Sequence, residues 1–263
     1  MTESTQFAPE WLALRETADA AARAADLLEP LRAVLPAGGL VIRDLGCGTG
    51  SMGRWLVPRL PRAQHWILTD RDPMLLARAA AGLPHPATAV PDQRDITRLS
   101  AADLAGTSLV TGSALLDLLT AEEVAGLAAA CVEARCPALL ALSVVGVVEL
   151  SPVDPLDAEL AAAFNAHQRR TVDGRRLLGP DAAAAAAAAF AGLGAVVHRR
   201  PSPWRLGPHR AALTAQWLQG WVAAAVAQDP ALARDGFAYL RRRLDAANLR
   251  AVIHHEDLLA LPV

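Results

Sequence analysis

The segment Val41-Ile42-Arg43-Asp44-Leu45-Gly46-Cys47-Gly48-Thr49-Gly50 constrains this chain more than any other. A short apolar run, Leu40 to Leu45, interrupted only by Arg43 and Asp44, ends in three alternating glycines and leads into a helical pattern over Met52 to Leu60. Glycine reaches positive φ without strain and carries no Cβ, so a ligand can approach bare main chain there, with helix N–H groups facing it. A strand, a glycine bend and a helix in that order open a βαβ unit, which calls for a parallel sheet covered on both faces.

The remaining sequence keeps the alternation. His65 to Leu68 reads as a strand closed by Thr69 and Asp70, and Pro73 to Gly82 as a helix. Ala87 to Val90 and Leu109 to Thr111 read as short strands. Thr120 to Cys131 reads as a helix opened by a Thr120/Glu123 capping box. Leu139 to Val148, between Pro137 and Pro152, reads as a buried strand. Upstream, Pro9 to Leu35 reads as one helical stretch stopped by Pro36, Gly38 and Gly39. Downstream, helices are expected over Pro155 to Arg169, His209 to Gln228 and Pro230 to Ala247. Another follows Asp181 as its cap, where eight alanines and Phe190 lead to Gly192 and Gly194. Strands are expected at Ala195 to His198 and Ala251 to His255. The pattern predicts an α/β fold with a doubly wound, mostly parallel sheet. A helical cap (1–36) precedes a main domain (37–263) that carries helical additions at about 151–180 and 207–248.

Composition removes several function classes. The chain has 263 residues, 53% of them hydrophobic, enough for one sizeable core. Charged residues make up 20% and net charge is -2, which excludes a disordered polyelectrolyte and gives no chain-wide footprint for nucleic acid. All 25 Lys+Arg residues are arginine, so neither a Schiff-base lysine nor a P-loop lysine is available. The longest apolar stretch, Pro137 to Leu150, is too short to span a bilayer and carries Ser143, Gly146 and Glu149. Met1 to Glu10 lacks a basic start and an apolar core, so a cytoplasmic protein is expected. Cys47, Cys131 and Cys136 do not have the number or spacing of a disulfide framework or a zinc site.

Asp70 closes the strand after the glycine bend, and the carboxyl ends of adjacent strands in such a sheet share one crevice. A carboxylate there can accept both hydroxyls of a ribose, so the pair points to a nucleoside-bearing ligand. Gly48, Gly50 and Gly53 also spell G-x-G-x-x-G, with Asp70 about 20 residues on, which keeps a nicotinamide oxidoreductase as a rival. Gly46 and acidic Asp44 argue against it. A carboxylate beside a pyrophosphate repels it, whereas a cationic ligand without phosphate gains from it.

Asp44-Leu45-Gly46-Cys47-Gly48-Thr49-Gly50 resembles motif I of class I, Rossmann-like S-adenosylmethionine-dependent methyltransferases. Thr69-Asp70-Arg71-Asp72-Pro73-Met74-Leu75 is similar to the second motif of that family, and Arg94-Asp95-Ile96 to the third. Val110 to Leu119 resembles the fourth strand and its loop. The resemblance covers Leu40 to Leu150 and implies a seven-stranded sheet and S-adenosylmethionine as cofactor. It places Gly46, Cys47, Gly48 and Gly50 beside the methionine part and Asp44 beneath the ammonium. Asp70 would take the ribose hydroxyls, Arg71 or Asp72 would flank the adenine, Asp95 would accept from its amino group with Ile96 beside it in the cofactor site, and Gly112 and Ser113 would line the methyl-transfer side.

The acceptor is less legible. Thr111-Gly112-Ser113-Ala114 stands where amino-methylating DNA enzymes carry Asn/Asp-Pro-Pro-aromatic, which argues against DNA. His167 and Asp117 are the candidate general bases, and Arg15, Arg23, Arg169, Trp217 and Trp221 the candidate acceptor contacts. The arginines favour an anionic small molecule; no metal is called for. An RNA methyltransferase, drawing on Arg199, Arg200, Arg205 and Arg210, and a non-catalytic S-adenosylmethionine-binding protein are the alternatives.

Overall fold

The computed structural model describes residues 8–60 and 62–263, so residues 1–7 of the expected N-terminal cap lie outside the described residues. The glycine segment begins on β1 (Leu40–Leu45), a strand interior almost throughout, as a central strand covered on both faces must be. Its one cation is neutralised inside the sheet, where Arg43 Nη1 donates to Asp92 Oδ2 at 2.5 Å and Thr69 Oγ1 at 3.2 Å.

β1 pairs in parallel with β2 (Gln64–Asp70) on one side and β4 (Leu109–Ser113) on the other. β3 (Thr88–Gln93) extends the sheet beyond β2, and β5 (Ala138–Ser151) extends it beyond β4, both in parallel. The last strand, β10 (Arg250–Leu261), then inserts antiparallel between β5 and β8 (Val196–Pro201). The order is therefore β3-β2-β1-β4-β5-β10-β8.

Eight strands share this sheet, one more than expected. β9 (Trp204–Leu206) pairs with Ala251 to Ile253, while β8 pairs with Glu256 to Leu261, so the two divide one edge of β10. Three residues are too short a run to show a period. A two-stranded hairpin, β6 (Thr171–Val172) and β7 (Arg175–Arg176), was likewise not anticipated.

Helices cover both faces. α2 (Leu28–Val34), α3 (Ser51–Leu56) and α4 (Pro73–Ala81) bury Leu28, Leu31, Met52, Trp55, Leu56, Leu76 and Ala79 against one face. α5 (Ala121–Glu133) and α7 (Ala182–Gly192) bury Val124, Leu127, Cys131, Ala186 and Phe190 against the other. The Thr120/Glu123 capping box forms as expected. Asp181 does not cap α7, because its carboxylate is taken bidentately by Arg169.

A third core joins the N-terminal helix to the later additions. α1 (Pro9–Ala22) packs through Trp11, Leu14 and Ala18 into a cluster with α6 (Asp157–Gln168), α8 (Ala211–Gln228), α9 (Ala233–Leu244) and β9. The single N-terminal helix expected is broken in two. At Arg23 the backbone turns extended (φ -53, ψ 133), and a 3-10 turn over Ala25–Leu27 leads to α2. The cause lies on β10. A register irregularity between Glu256 and Leu258 turns Asp257 inward, and its buried carboxylate accepts from Ala24 N at 2.8 Å and Leu142 N at 2.7 Å.

Candidate active site

A cleft of about 850 Å³ opens at the carboxyl ends of β1 to β4. The glycine bend forms one wall. Gly46, Gly48 and Gly50 hold φ of +58, +54 and +86, and a Cβ on Gly50 would stand 3.1 Å from Ala79 Cα, so glycine is required there. Cys47 N donates to Thr69 O (3.0 Å) and Gly50 N to Cys47 O (2.8 Å), which ties the loop to the end of β2 and to itself. Burial and two nearby carboxylates push the Cys47 thiol far up, so Cys47 contributes shape and not a thiolate.

Among the carboxylates that line the cleft, three stand at or just beyond the carboxyl ends of β1, β2 and β3. Asp44 is 1% exposed; Thr111, its register partner on β4, donates Oγ1–H to Oδ1 at 2.8 Å, and Oδ2 has no partner. Burial raises its pKa to about 6, opposed by the Thr111 hydrogen bond and the charge of Arg23. Asp70 takes Gly48 N at 2.9 Å on Oδ2 and Asp72 N at 3.0 Å on Oδ1, which ties the end of β2 to the glycine bend. Asp95 accepts from Thr97 N (2.9 Å) and Thr97 Oγ1 (2.8 Å), both on Oδ1, and these bonds hold its pKa below the usual value. It is thus an N-cap and a lining residue at once. Arg71, Ile96 and Ser113 complete this part of the lining.

Parallel strands in the order 3-2-1-4-5, followed by an antiparallel last strand inserted before its predecessor, differ from the all-parallel 3-2-1-4-5-6 dinucleotide sheet. A protein described as a methyltransferase from Bacillus halodurans superposes with a TM-score of 0.50 at 12% identity, over 91% of this chain and 100% of that one. The fold is that of the Rossmann-like methyltransferases. Weaker overlaps are found with a cyclopropane synthase from Mycobacterium tuberculosis (TM-score 0.47, 12% identity, 89% and 83% of the two chains). Another is found with a SAM-dependent methyltransferase from Geobacter sulfurreducens in complex with S-adenosyl-L-homocysteine (0.44, 16%, 97% and 99%). No protein-family model matches the chain, and no curated protein does.

On this methyltransferase fold the expected acceptor residues separate. Arg15 lines the cleft, held by Asp19 through Nε (3.0 Å) and Nη2 (3.2 Å) and lying 4.9 Å from the Trp204 ring centroid. Arg23 does not reach the cleft surface; it is buried behind Ser51 and Ser113 and donates to both. Arg169 is spent on Asp181 and the Asn165 carbonyl. Trp221 is core, packed between Phe164 and Tyr239, and Trp217 stacks on it at 5.7 Å. One turn of helix put the pair on one face, but that face meets α6 and α9. His167, in the last turn of α6, lies outside the lining, and burial together with Arg170 lowers its pKa. Asp117 also lies outside it, near Arg15 and Arg170, with its pKa raised by burial.

Several lining residues escaped the sequence reading. Leu12 and Asp19 come from α1, and Val172, Asp173, Arg175 and Leu177 from the hairpin. Arg175 fixes that hairpin across the cleft by pairing with Glu123 (2.8 and 2.6 Å) and donating to Leu118 O at 3.1 Å. The signal was available in part: Asp173-Gly174 between two short polar runs is a two-residue hairpin turn, and both residues hold positive φ.

Proposed function

We propose that this chain is an S-adenosylmethionine-dependent methyltransferase that passes a methyl group to a small-molecule acceptor by in-line displacement. The observation that carries the reading is Asp44. A buried carboxylate with one oxygen unpartnered, at the floor of a glycine bend, costs stability unless a cation or donor meets it. An α-ammonium meets that need, whereas a pyrophosphate would deepen the cost. Asp70 and Asp95 line the same cleft as the bare Gly46 to Gly48 backbone, which supports a role for them as acceptors toward ribose hydroxyls and an adenine amino group.

The cofactor, when bound, supplies a methyl group already activated on a sulfonium. What remains for the protein is to orient, to exclude water and to hold the nucleophile in line. Among the described residues, neither a histidine nor a tyrosine lines the cleft, and the acids of its acceptor half are engaged or exposed. Asp19 is held by Arg15 and Trp204, Glu123 by Arg175 and Thr120, and Asp173 sits at the exposed hairpin turn. This supports an acceptor that arrives as a competent nucleophile. Leu12, Leu118, Leu119, Val172 and Leu177, with Arg15 and Arg170 among them, suit a small molecule of apolar body and polar or anionic tip. Three of the four arginines that an RNA surface would recruit pair at the surface within the chain, Arg199 with Glu256, Arg200 with Asp26 and Arg210 with the Thr17 carbonyl, while Arg205 is exposed.

Incubation with methyl-labelled cofactor and a panel of small amines, thiols, carboxylates and phenols tests the reading. Transfer to at least one acceptor is expected. Tight cofactor binding with no transfer across the panel would favour the non-catalytic binder.

A further inference from the structure

Three arginines, Arg15, Arg170 and Arg175, line the half of the cleft built by α1 and the β6–β7 hairpin. Two of them are answered by acids. Arg15 gives Nε and Nη2 to Asp19 (3.0 and 3.2 Å), and Arg175 gives the same two nitrogens to Glu123 (2.8 and 2.6 Å). Arg54 and Arg169 hold Glu16 and Asp181 by that edge as well. The Nε/Nη2 side of a guanidinium is a planar fork that fits both oxygens of one carboxylate.

Arg170 differs. It joins the end of α6 to β6, and its main chain is held on both sides: Arg170 N donates to His167 O at 3.1 Å, and Leu177 N donates to Arg170 O at 3.2 Å. Its Nη1 donates to the same His167 carbonyl at 3.1 Å. Among the described residues, Nε and Nη2 of Arg170 meet no acceptor, and no carboxylate pairs with the group. Asp117, close enough to feel both Arg15 and Arg170, pairs with neither and stands outside the lining. Asp173 is exposed at the hairpin turn. With Asp19 and Glu123 spent on Arg15 and Arg175, this half of the cleft carries an excess of one half-buried positive charge. Leu12, Leu118, Leu119, Val172 and Leu177 supply its apolar wall.

We infer that Arg170 is the specificity-determining residue of the acceptor half, and that its Nε/Nη2 edge takes the carboxylate of an acceptor whose body is apolar. This rests on the proposed methyl transfer and names the class of molecule that receives the group. A cation taken partly out of water gains most from a partner of matching charge and geometry. One carboxylate answers one unpaired guanidinium, whereas a phosphate monoester brings about 1.5 to 2 negative charges and leaves the surplus partly buried. A primary amide turns N–H donors toward a group that has donors only. Because Nη1 is already held by α6, gripping the carboxylate costs less side-chain freedom than it would for a loose arginine.

Calorimetry at saturating S-adenosylhomocysteine tests this, with phenylacetate and octanoate, their primary amides, and phenyl phosphate as probes. At least one of the two carboxylates should bind the native chain about tenfold or more tighter than its amide, and tighter than the phosphate. In Arg170→Met and in Arg170→Gln that preference should shrink to within about twofold through weaker carboxylate binding, and Arg170→Lys should recover part of it, since it restores the charge without the fork. S-adenosylhomocysteine itself should bind all four proteins within about twofold, which also shows that each variant is folded. No carboxylate preference in the native chain, tighter binding of the phosphate, or a preference that survives in both Arg170→Met and Arg170→Gln would overturn the assignment and leave the cofactor reading standing. Arginine variants that weaken S-adenosylhomocysteine as much as the carboxylates would also overturn it, by giving Arg170 to the cofactor. A native chain that does not bind S-adenosylhomocysteine would overturn both readings.

Discussion

Asp44 concentrates the energetics of the site in one side chain. Its pKa of about 6 against an ordinary 3.8 means the folded protein holds a proton there that the unfolded chain has already released. Ionising Asp44 therefore costs stability: this contribution is present below pH 3.8 and is lost as pH rises to about 6. Binding an ammonium requires the ionised form, so affinity for S-adenosylhomocysteine should fall as pH drops through 6, a slope that calorimetry at a series of pH values would show. Asp44→Asn removes the buried charge and leaves Thr111 an acceptor. The ligand-free variant should gain about 1–3 kcal/mol in urea unfolding at pH 7 while losing the ligand. A variant both less stable and still binding would contradict this. Asp70 differs, because each of its oxygens already takes a backbone N–H. Asp70→Ala should weaken cofactor binding by about 1–3 kcal/mol, through ribose contacts and through a looser Gly48; unchanged affinity would remove Asp70 from the site.

Strands and helices met the sequence reading unevenly, and the reasons are physical. The order of strands and helices from Leu40 to Ser113 was legible because glycines, caps and strand-end acids act locally: Gly50 needs its φ of +86 whatever surrounds it. The break at Arg23 was not, since the group that causes it, Asp257, lies 233 residues away from Ala24 in sequence. Ala-rich turns on either side of Arg23 offer no local reason to stop a helix. Asp257→Ala leaves Ala24 N and Leu142 N without their acceptor, and should cost about 3 kcal/mol in urea unfolding. A loss below about 0.5 kcal/mol would mean that the break has another cause. On the acceptor side only Arg15 of the expected contacts lines the cleft, for the same reason. His167, Arg169, Trp217 and Trp221 carry suitable chemistry, but which face of each helix meets the cleft is decided by packing among α1, α6, α8 and α9.

At the scale of the whole molecule, the sheet brings the carboxyl ends of β1 to β4 together, and the cap supplies the opposite wall. Elements from both ends of the chain share the third core, where Trp11 packs edge-on against Trp204 and Trp221 packs against Phe164, Trp217 and Tyr239. That layer should be a matter of stability and not of recognition. Trp221→Ala should cost about 3–5 kcal/mol in unfolding yet leave cofactor affinity unchanged under native conditions, which would mark it as core and not as part of the cofactor site. The central claim is that the cleft seats a zwitterionic adenosyl ligand without phosphate. Calorimetric titration with S-adenosylhomocysteine and, separately, with reduced nicotinamide adenine dinucleotide tests it most directly. The account predicts saturable one-to-one binding of the first, abolished by Asp44→Asn, and no heat from the second; tight binding of the dinucleotide with silence from S-adenosylhomocysteine would contradict it.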